Sequence, residues 1–145
     1  AAMDAFDFTG YTELVYCGYG EPTCALDNMI ASAKYAKEKY GVAIRVNTNG
    51  LGNLYHERDI VPVLAEVVDS VSISLNAPTK EAYMDVTRPK FENAFEAMLD
   101  FAVECKGVIP HVRMTIVDVL PEEDIQASRE LAESLGVDLK IRKFA

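Results

Sequence analysis

Five short runs of strand-forming residues alternate with helical patterns, and this alternation restricts the fold of the chain more than any other feature. The runs cover residues 12–17, 42–47, 70–75, 111–117 and 137–142, so they begin 30, 28, 41 and 26 residues apart. These spacings leave room for a helix between consecutive strands, which parallel strands require. We therefore predict right-handed strand–helix–strand units that form one parallel sheet.

The segments between the runs contain residue types that begin and end helices. Gly41 and Gly136 stand where the first and last helices are expected to stop, since glycine adopts the left-handed conformation that ends many helices. Asp59 is expected to cap a helix with Pro62 in its first turns. The other apolar stripes at helical spacing are Leu26, Met29, Ile30, Ala33 and Ala36; Phe91, Phe95, Met98 and Ala102; and Ile125, Leu131 and Leu135.

Alternate residues of the runs differ in polarity, and this difference decides where the helices lie. The apolar face consists of Val42, Ile44, Val46, Val71, Ile73, Leu75, Val112, Met114, Ile116, Leu139 and Ile141. The polar face consists of Arg45, Asn47, Ser70, Ser72, Ser74, Asn76, Arg113, Thr115, Lys140 and Arg142. A doubly wound sheet is apolar on both faces because helices cover both. A complete eight-stranded barrel needs about 250 residues, so we predict an α/β fold that is a partial, open TIM-type barrel of five strands with a polar lumen.

Length and charge exclude several classes of function. A length of 145 residues fits one domain, so residues 1–145 are predicted to form a single unit. Fourteen basic and 23 acidic residues give a net charge of −9, and a field of that sign repels nucleic-acid backbones and anionic membranes. No apolar run approaches the roughly 20 residues of a membrane-spanning helix. Three scattered cysteines and an N-terminus without signal-peptide character predict a cytoplasmic location.

Functional residues of parallel α/β sheets collect beyond the carboxyl ends of the strands. There, Gly18, Gly20 and Glu21 form a turn suited to an ammonium group, which donates to carbonyls and to a carboxylate. The alternative is a loop that needs glycine only for its conformation. Arg88 and Arg113 are candidates to hold a carboxylate, and the alternative for each is a structural or solvated ion pair.

Short uncharged side chains follow two other runs. Asn47, Asn49, Ser74 and Asn76 have the donors and acceptors that sugar hydroxyls require. The same residue types also cap helices and form turns, which is the alternative explanation.

Three motifs at these strand ends match the pattern of a known family. Tyr-Gly-Glu-Pro at residues 19–22 is similar to a Gly-Gly-Glu-Pro motif with Tyr19 in place of the first glycine. Arg-Val-Asn-Thr-Asn-Gly at 45–50 and Val-Ser-Ile-Ser-Leu-Asn-Ala at 71–77 continue the pattern. Together they resemble the second, third and fourth barrel strands of the radical SAM superfamily. More narrowly, residues 17–23, 47–53 and 72–78 resemble the radical SAM proteins linked to TatD-type nucleases, and the resemblance extends over essentially the whole chain.

This resemblance implies an enzyme that uses S-adenosylmethionine and a [4Fe–4S] cluster to generate a 5′-deoxyadenosyl radical. It also implies a set of residues that contact S-adenosylmethionine. They are Gly20 and Glu21 for the methionine amino group, Ser74 and Asn76 for the ribose, Asn47 and Asn49 at the border, Arg88 or Arg113 for the carboxylate, and Val117 beside the adenine.

The cysteines depart from the family pattern. The family binds its cluster through Cys-x3-Cys-x2-Cys after the first barrel strand, whereas Cys17, Cys24 and Cys105 lack that spacing. We therefore expect no metal ligands in this chain and expect each cysteine to be a small buried side chain. The first barrel strand and its cysteine loop are expected to be absent from this sequence. The cluster would then belong to a longer, intact protein, and this chain alone would be inactive.

Two other functions remain open. A cofactor-free acidic half-barrel would bind a nucleotide or a protein partner. An ordinary barrel enzyme with acid–base catalysis is disfavoured, because the lumen has no histidine paired with a carboxylate.

The first run also predicts an association between copies of the chain. If the first barrel strand is absent, Thr12 to Cys17 form an edge strand with unpaired backbone groups, which is a template for pairing. We therefore expect either residues 1–8 to fold over this edge or a second copy of the chain to pair with it, which would form a homodimer.

Overall fold

Five strands form one parallel sheet in the computed structural model, which describes residues 13–16 and 21–143. The strands are β1 (Glu13–Tyr16), β2 (Ala43–Thr48), β3 (Ser70–Ser74), β4 (His111–Val117) and β5 (Asp138–Arg142). Each pairs in parallel with the next along the chain, so the order is β1-β2-β3-β4-β5. An order that does not reverse is that of a barrel rather than of a doubly wound sheet. The predicted partial, open TIM-type barrel is confirmed.

The strand boundaries differ from the predicted ones by one residue at several ends. The prediction for β4 is confirmed at both ends, whereas β2 lies one residue later than 42–47. Leu75 and Val137 are buried but lie outside β3 and β5. The Val137 N–H donates to the Ala132 carbonyl instead of to the sheet, whereas the Leu75 N–H still donates to the Thr115 carbonyl of β4 at 2.9 Å. Thr12 and Cys17, the predicted ends of the first strand, lie outside the described residues.

The described helices are α1 (Leu26–Tyr40), α2 (Gly52–His56), α3 (Val61–Ala65), α4 (Lys80–Thr87), α5 (Ala94–Lys106) and α6 (Glu122–Leu135), with a 3-10 turn at Pro22–Ala25. Gly41 and Gly136 end α1 and α6 with φ of +67° and +74°, as predicted. Asp59 is not the N-cap residue as expected, because Ile60 occupies that position of α3; the Asp59 carboxylate nevertheless accepts from the first helical N–H, that of Val61, at 3.0 Å. Phe91, which the predicted stripe places on a helix, precedes α5. None of the described helices is long and apolar enough to cross a membrane.

The described helices all pack against the same face of the sheet. Ile44, Val46, Val71, Ile73 and Met114 on that face are at most 1% exposed. The strand registers place the other set of side chains together in rows, such as Asn47 beside Ser72 and Ser72 beside Arg113. Burial of the apolar row under the helices drives the fold, at about 25 cal/mol for each Å² removed from water. The polar rows are left on the opposite face.

The amino ends of the strands are held by Asp69, which precedes β3. Its carboxylate accepts from the Ile44 N–H at 2.8 Å and pairs with the Lys37 ammonium of α1 at 2.9 Å. Burial raises the pKa of Asp69, but the Ile44 N–H and Lys37 outweigh burial and leave the pKa below its ordinary value. This end of the sheet is therefore built for stability.

Two carboxyl groups meet where α3 and α5 pack together. Glu104 of α5 accepts from the Asn53 side-chain amide at 3.2 Å and is hydrogen-bonded to Asp59. The pKa of Glu104 is raised to about 7 from an ordinary 4.5. Burial is the largest cause, and the neighbouring Asp59 carboxyl is the second. The folded chain therefore holds a proton between pH 4.5 and 7 that the unfolded chain releases, and stability falls as the pH rises through this range.

We predict that Glu104→Gln stabilises the chain at pH 8 by on the order of 1 kcal/mol, because the amide keeps both hydrogen bonds without the repulsion from Asp59. The advantage should disappear below pH 4.5, where Glu104 is protonated in both states. Urea unfolding at pH 4, 6 and 8 measures this, with Glu130→Gln on the exposed side of α6 as the control. Equal curves for Glu104→Gln and the unchanged chain at every pH would contradict the prediction.

Candidate functional site

Glu21 joins the 3-10 turn at Pro22–Ala25 to the carboxyl end of β2. Its Oε2 accepts from the Thr23 N–H at 3.0 Å, from the Thr23 hydroxyl at 2.6 Å and from the Thr48 hydroxyl at 2.6 Å. Its Oε1 accepts from the Asn49 N–H at 2.7 Å. An oxygen of a carboxylate accepts about two hydrogen bonds. Among the described residues, Oε1 therefore retains one acceptor position, while Oε2 is fully used.

The loop after β2 is shaped by the same cluster. The Thr48 hydroxyl accepts from the Gly50 N–H at 3.1 Å, and the Asn49 side chain accepts from the Leu51 N–H at 3.0 Å. Gly50 has φ of +79°, and a Cβ there would lie 3.0 Å from the Met98 side chain. The loop therefore needs glycine both for its conformation and for space. It presents Asn49 at the rim of the sheet.

Asn76 and Arg88 have left-handed backbone conformations, with φ of +67° and +44°. Asn76 follows β3, and asparagine tolerates this conformation better than most residues. Arg88 ends α4, where its N–H donates to the Met84 carbonyl at 3.0 Å. These conformations turn both residues away from the regular elements that they follow.

A cavity of about 330 Å³, hereafter the strand-end cavity, opens between these loops and the end of α4. Its polar lining includes Glu21, Asn49, Asn76, Arg88 and Lys90. Its remaining lining is mostly apolar or aromatic: Cys24, Leu51, Tyr55, Tyr83, Thr87, Pro89 and Phe91. A mostly apolar cleft with a few convergent polar groups is the usual form of a small-molecule site.

A second cavity, of about 140 Å³, lies on the polar face and is hereafter the polar-face cavity. It is lined by Arg45, Asn47, Ser72, Ser74, Arg113, Thr115, Lys140 and Arg142. Arg113 is fixed within it, because its Nε donates to the Ser72 hydroxyl at 2.7 Å.

The structure divides the predicted site residues between the two cavities. Glu21, Asn49, Asn76 and Arg88 line the strand-end cavity, and Asn47, Ser74 and Arg113 line the polar-face cavity. Val117 lies on the polar face beside Arg142 in the register and lines neither cavity, and Gly20 lies outside the described residues.

The predicted polar face needs one correction. Arg45, Ser72, Ser74 and Arg113 share one cavity as expected, but Asn76 does not join them. It follows the end of β3, and its left-handed backbone turns it into the strand-end cavity instead.

The described residues offer no ligand set for an iron–sulfur cluster. Among residues 13–16 and 21–143, no group of three histidine, cysteine or acidic side chains is placed to hold a metal ion. Burial and the neighbouring Glu21 carboxylate raise the pKa of the Cys24 thiol, and burial raises the pKa of Cys105 to about 12. His56 is used structurally, since its Nε2 bonds to the Thr23 carbonyl at 2.6 Å.

Sequence reasoning missed several lining residues. Tyr83 and Phe91 in the aromatic wall of the strand-end cavity come from segments that are distant from the glycine-rich motifs, whereas Tyr55 lies two residues beyond the motif at 47–53. Thr79 is the N-cap residue of α4, and its hydroxyl accepts from the Ala82 N–H. Pro89 directly follows Arg88, which ends the helix. An N-cap residue and a proline just beyond a C-terminus are signals that would have revealed this helix.

Comparisons with known proteins agree with this architecture. The sequence model described as Radical SAM superfamily matches residues 1–133. Six chains of solved structures are similar, among them the crystal structure of a domain of pyruvate-formate lyase-activating enzyme from Bacteroides vulgatus ATCC 8482. That domain has a TM-score of 0.56 and 15% identity, over 88% of this chain and 97% of that chain, so the likeness is one of fold. No curated protein matches the chain.

We predict that Glu21→Gln destabilises the chain by about 1–3 kcal/mol, because the glutamine amide would direct a donor at either the Asn49 N–H or the threonine hydroxyls. Urea unfolding measures the loss. Glu130→Gln, which removes the same charge from an exposed position of α6, should change stability by less than about 0.5 kcal/mol. Equal stability of the two variants would show that Glu21 does not hold the 3-10 turn and the end of β2 together.

Proposed function

The chain belongs to the radical SAM superfamily, and we propose that it is the S-adenosylmethionine-binding core of a radical enzyme. One observation carries the proposal: Glu21, the acidic residue of the family motif, is fixed at the wall of a cavity, and its Oε1 retains one acceptor position among the described residues. The four hydrogen bonds that hold the carboxylate orient it before any ligand arrives, and such preorganisation lowers the cost of binding.

The two ends of the methionine moiety find opposite charges in the strand-end cavity. Glu21 Oε1 accepts from the ammonium group, and the Arg88 guanidinium pairs with the carboxylate. Arg113, the other predicted partner of the carboxylate, is bound to Ser72 in the polar-face cavity, so Arg88 is the stronger candidate. A zwitterionic ligand therefore has one orientation in which both charges are matched.

The nucleoside part of the cofactor is matched by amide and aromatic side chains. Asn49 and Asn76 supply donors and acceptors for the ribose hydroxyls, with Ser74 and Asn47 bordering them on the polar face. Tyr55 and Phe91 provide aromatic surface against which an adenine ring stacks favourably. Val117 remains a predicted contact of the adenine.

When bound to a reducing cluster, S-adenosylmethionine supplies a 5′-deoxyadenosyl radical that abstracts hydrogen from a substrate. The residues of this chain bind and orient the cofactor and exclude water, and the cofactor carries the radical chemistry. The three cysteines lack the spacing that a [4Fe–4S] cluster needs. We therefore propose that the cluster is held by residues that this sequence does not contain.

We also propose the narrower relationship to the radical SAM proteins linked to TatD-type nucleases. Its support is the three motifs at residues 17–23, 47–53 and 72–78. Cys24 and Cys105 are free thiols, which favours a reducing compartment and therefore the cytoplasm. Homodimerisation through the first strand remains a prediction; among the described residues, β1 pairs only with β2.

We predict that the chain binds S-adenosylmethionine with a Kd on the order of 0.1–1 mM, weakly because no cluster coordinates the ligand. Asn76→Gly and Arg88→Gly should each weaken binding about tenfold, as expected for loss of a polar or charge-assisted contact. Glycine accepts the left-handed backbone at both positions, so the variants remove the side chains without straining the fold. Isothermal titration calorimetry measures the affinities.

The chain offers a matched control at Glu57, an exposed residue outside the cavity with φ of +53°. Glu57→Gly makes the same backbone change and should leave binding intact. Unchanged binding in both Asn76→Gly and Arg88→Gly, or an equal loss in Glu57→Gly, would refute the assignment of the strand-end cavity.

A further inference from the structure

The polar face contains more positive charge than the proposed cofactor site uses. Arg45, Arg113, Lys140 and Arg142 all line the polar-face cavity, although the chain as a whole has a net charge of −9. Among the described residues, no carboxylate forms an ion pair with Arg113, Lys140 or Arg142, and Arg45 pairs with Glu13 only at 3.6 Å. Placing four cations on one small surface is electrostatically costly unless an anion joins them.

The neighbouring acidic residues lie close to only two of these four cations. Glu13 and Asp138 line an adjoining cavity of about 310 Å³ toward the amino ends of the strands, together with Arg45 and Arg113, and Asp138 lies beside Arg113 in the register. In the register, Lys140 lies beside Thr115 and Arg142 beside Val117, toward the carboxyl ends. Lys140 and Arg142, which share neither of these two cavities with an acidic residue, therefore lie toward the end of the sheet where the strand-end cavity lies.

Unpartnered polar atoms at the same place indicate a ligand that is more than a bare anion. Asn47 Oδ1 and Arg45 Nε are buried without a hydrogen-bond partner among the described residues. Buried polar atoms are nearly always hydrogen-bonded in folded proteins, so each exception requires a missing partner. Asn47 Oδ1 needs a donor, and Arg45 Nε needs an acceptor.

We propose that the polar-face cavity binds a small substrate that carries both an oxyanion and a hydroxyl group. The oxyanion, a carboxylate or a phosphate monoester, pairs with Lys140 and Arg142, since guanidinium and ammonium groups suit both anions. The hydroxyl donates to Asn47 Oδ1. The proposal rests on the proposed function, because it gives the radical site its second ligand. Asn47 also borders the proposed cofactor site, but Lys140 and Arg142 do not line the strand-end cavity.

The position of the polar-face cavity is also suited to hydrogen transfer between the proposed substrate and the cofactor. Asn47 and Ser74 line the polar-face cavity, and each lies two residues before a residue of the strand-end cavity, Asn49 and Asn76 respectively. A substrate on the polar face would therefore lie next to the rim at which the cofactor is proposed to bind. Hydrogen transfer between the two ligands requires this adjacency.

The test uses two hydroxylated probes at constant ionic strength: glycerol 3-phosphate for the phosphate arm and malate for the carboxylate arm, with chloride as the reference anion. Binding is followed by calorimetry on the full chain, after circular dichroism confirms that each variant is folded. At least one probe should bind in preference to chloride. Lys140→Gln and Arg142→Gln should each weaken the binding of that probe about tenfold. Binding of glycerol 3-phosphate would identify the anion as a phosphate monoester, and binding of malate would identify it as a carboxylate.

Arg129→Gln is the matched control, because it removes one positive charge from an exposed position of α6. It should leave probe binding unchanged, and an equal loss there would show a bulk charge effect and overturn the proposal. Failure of both probes to bind would overturn it as well. S-adenosylmethionine is titrated in parallel into Arg142→Gln, where its affinity should be unaltered. If the unchanged chain binds a probe but does not bind S-adenosylmethionine, this result would contradict the proposed function and would not contradict oxyanion binding in the polar-face cavity.

Discussion

The organisation of this chain depends on covering one face of its sheet. In a strand, successive side chains point to opposite faces, so helices on a single side bury every second residue. Ile44, Ile73 and Met114 are fully buried for this reason, whereas Asn47 and Arg113 face away from the helix layer. The apolar face stabilises the fold, and the polar face is therefore available for binding.

The amino ends of the strands stabilise the fold, whereas their carboxyl ends form the candidate functional site. At the amino ends, Asp69 uses an ammonium group and a backbone N–H to join α1 to β2. At the carboxyl ends, Glu21 similarly joins two loops, but within the part of the chain that the structure describes its Oε1 accepts only one hydrogen bond and has room for a second. The same kind of carboxylate thus serves packing at one end and ligand recognition at the other, which is the usual division in barrels of this type.

Most of the sheet could be predicted from the sequence because the alternation of apolar and polar residues is local information. The bounds of β4 were predicted to the residue, and Gly41 and Gly136 end helices as expected. The polarity pattern alone does not show where Asn76 turns, since its φ of +67° is set after the strand has ended. The short helix α2 was also missed, because five residues are too few to show a helical period.

The candidate site could be predicted only in part, because its contacts join distant parts of the chain. The motif that contains Glu21 is visible in the sequence, but its hydrogen bonds to Thr48 and Asn49 cross 27 and 28 residues. Arg88 and Phe91 reach the same cavity from beyond α4. Local patterns therefore indicated which residue types matter, while tertiary packing decided which of them meet.

The central claim is that the carboxyl-end rim of the sheet binds S-adenosylmethionine. The most direct measurement is a titration of the ¹⁵N-labelled chain with S-adenosylmethionine, followed by amide chemical shifts. The account predicts shifts at Asn49, Gly50, Ala77 and Arg88, with the amides of the outer helix α6 unmoved. Shifts confined to the amino ends of the strands or to α6, or no shifts at millimolar ligand, would contradict it.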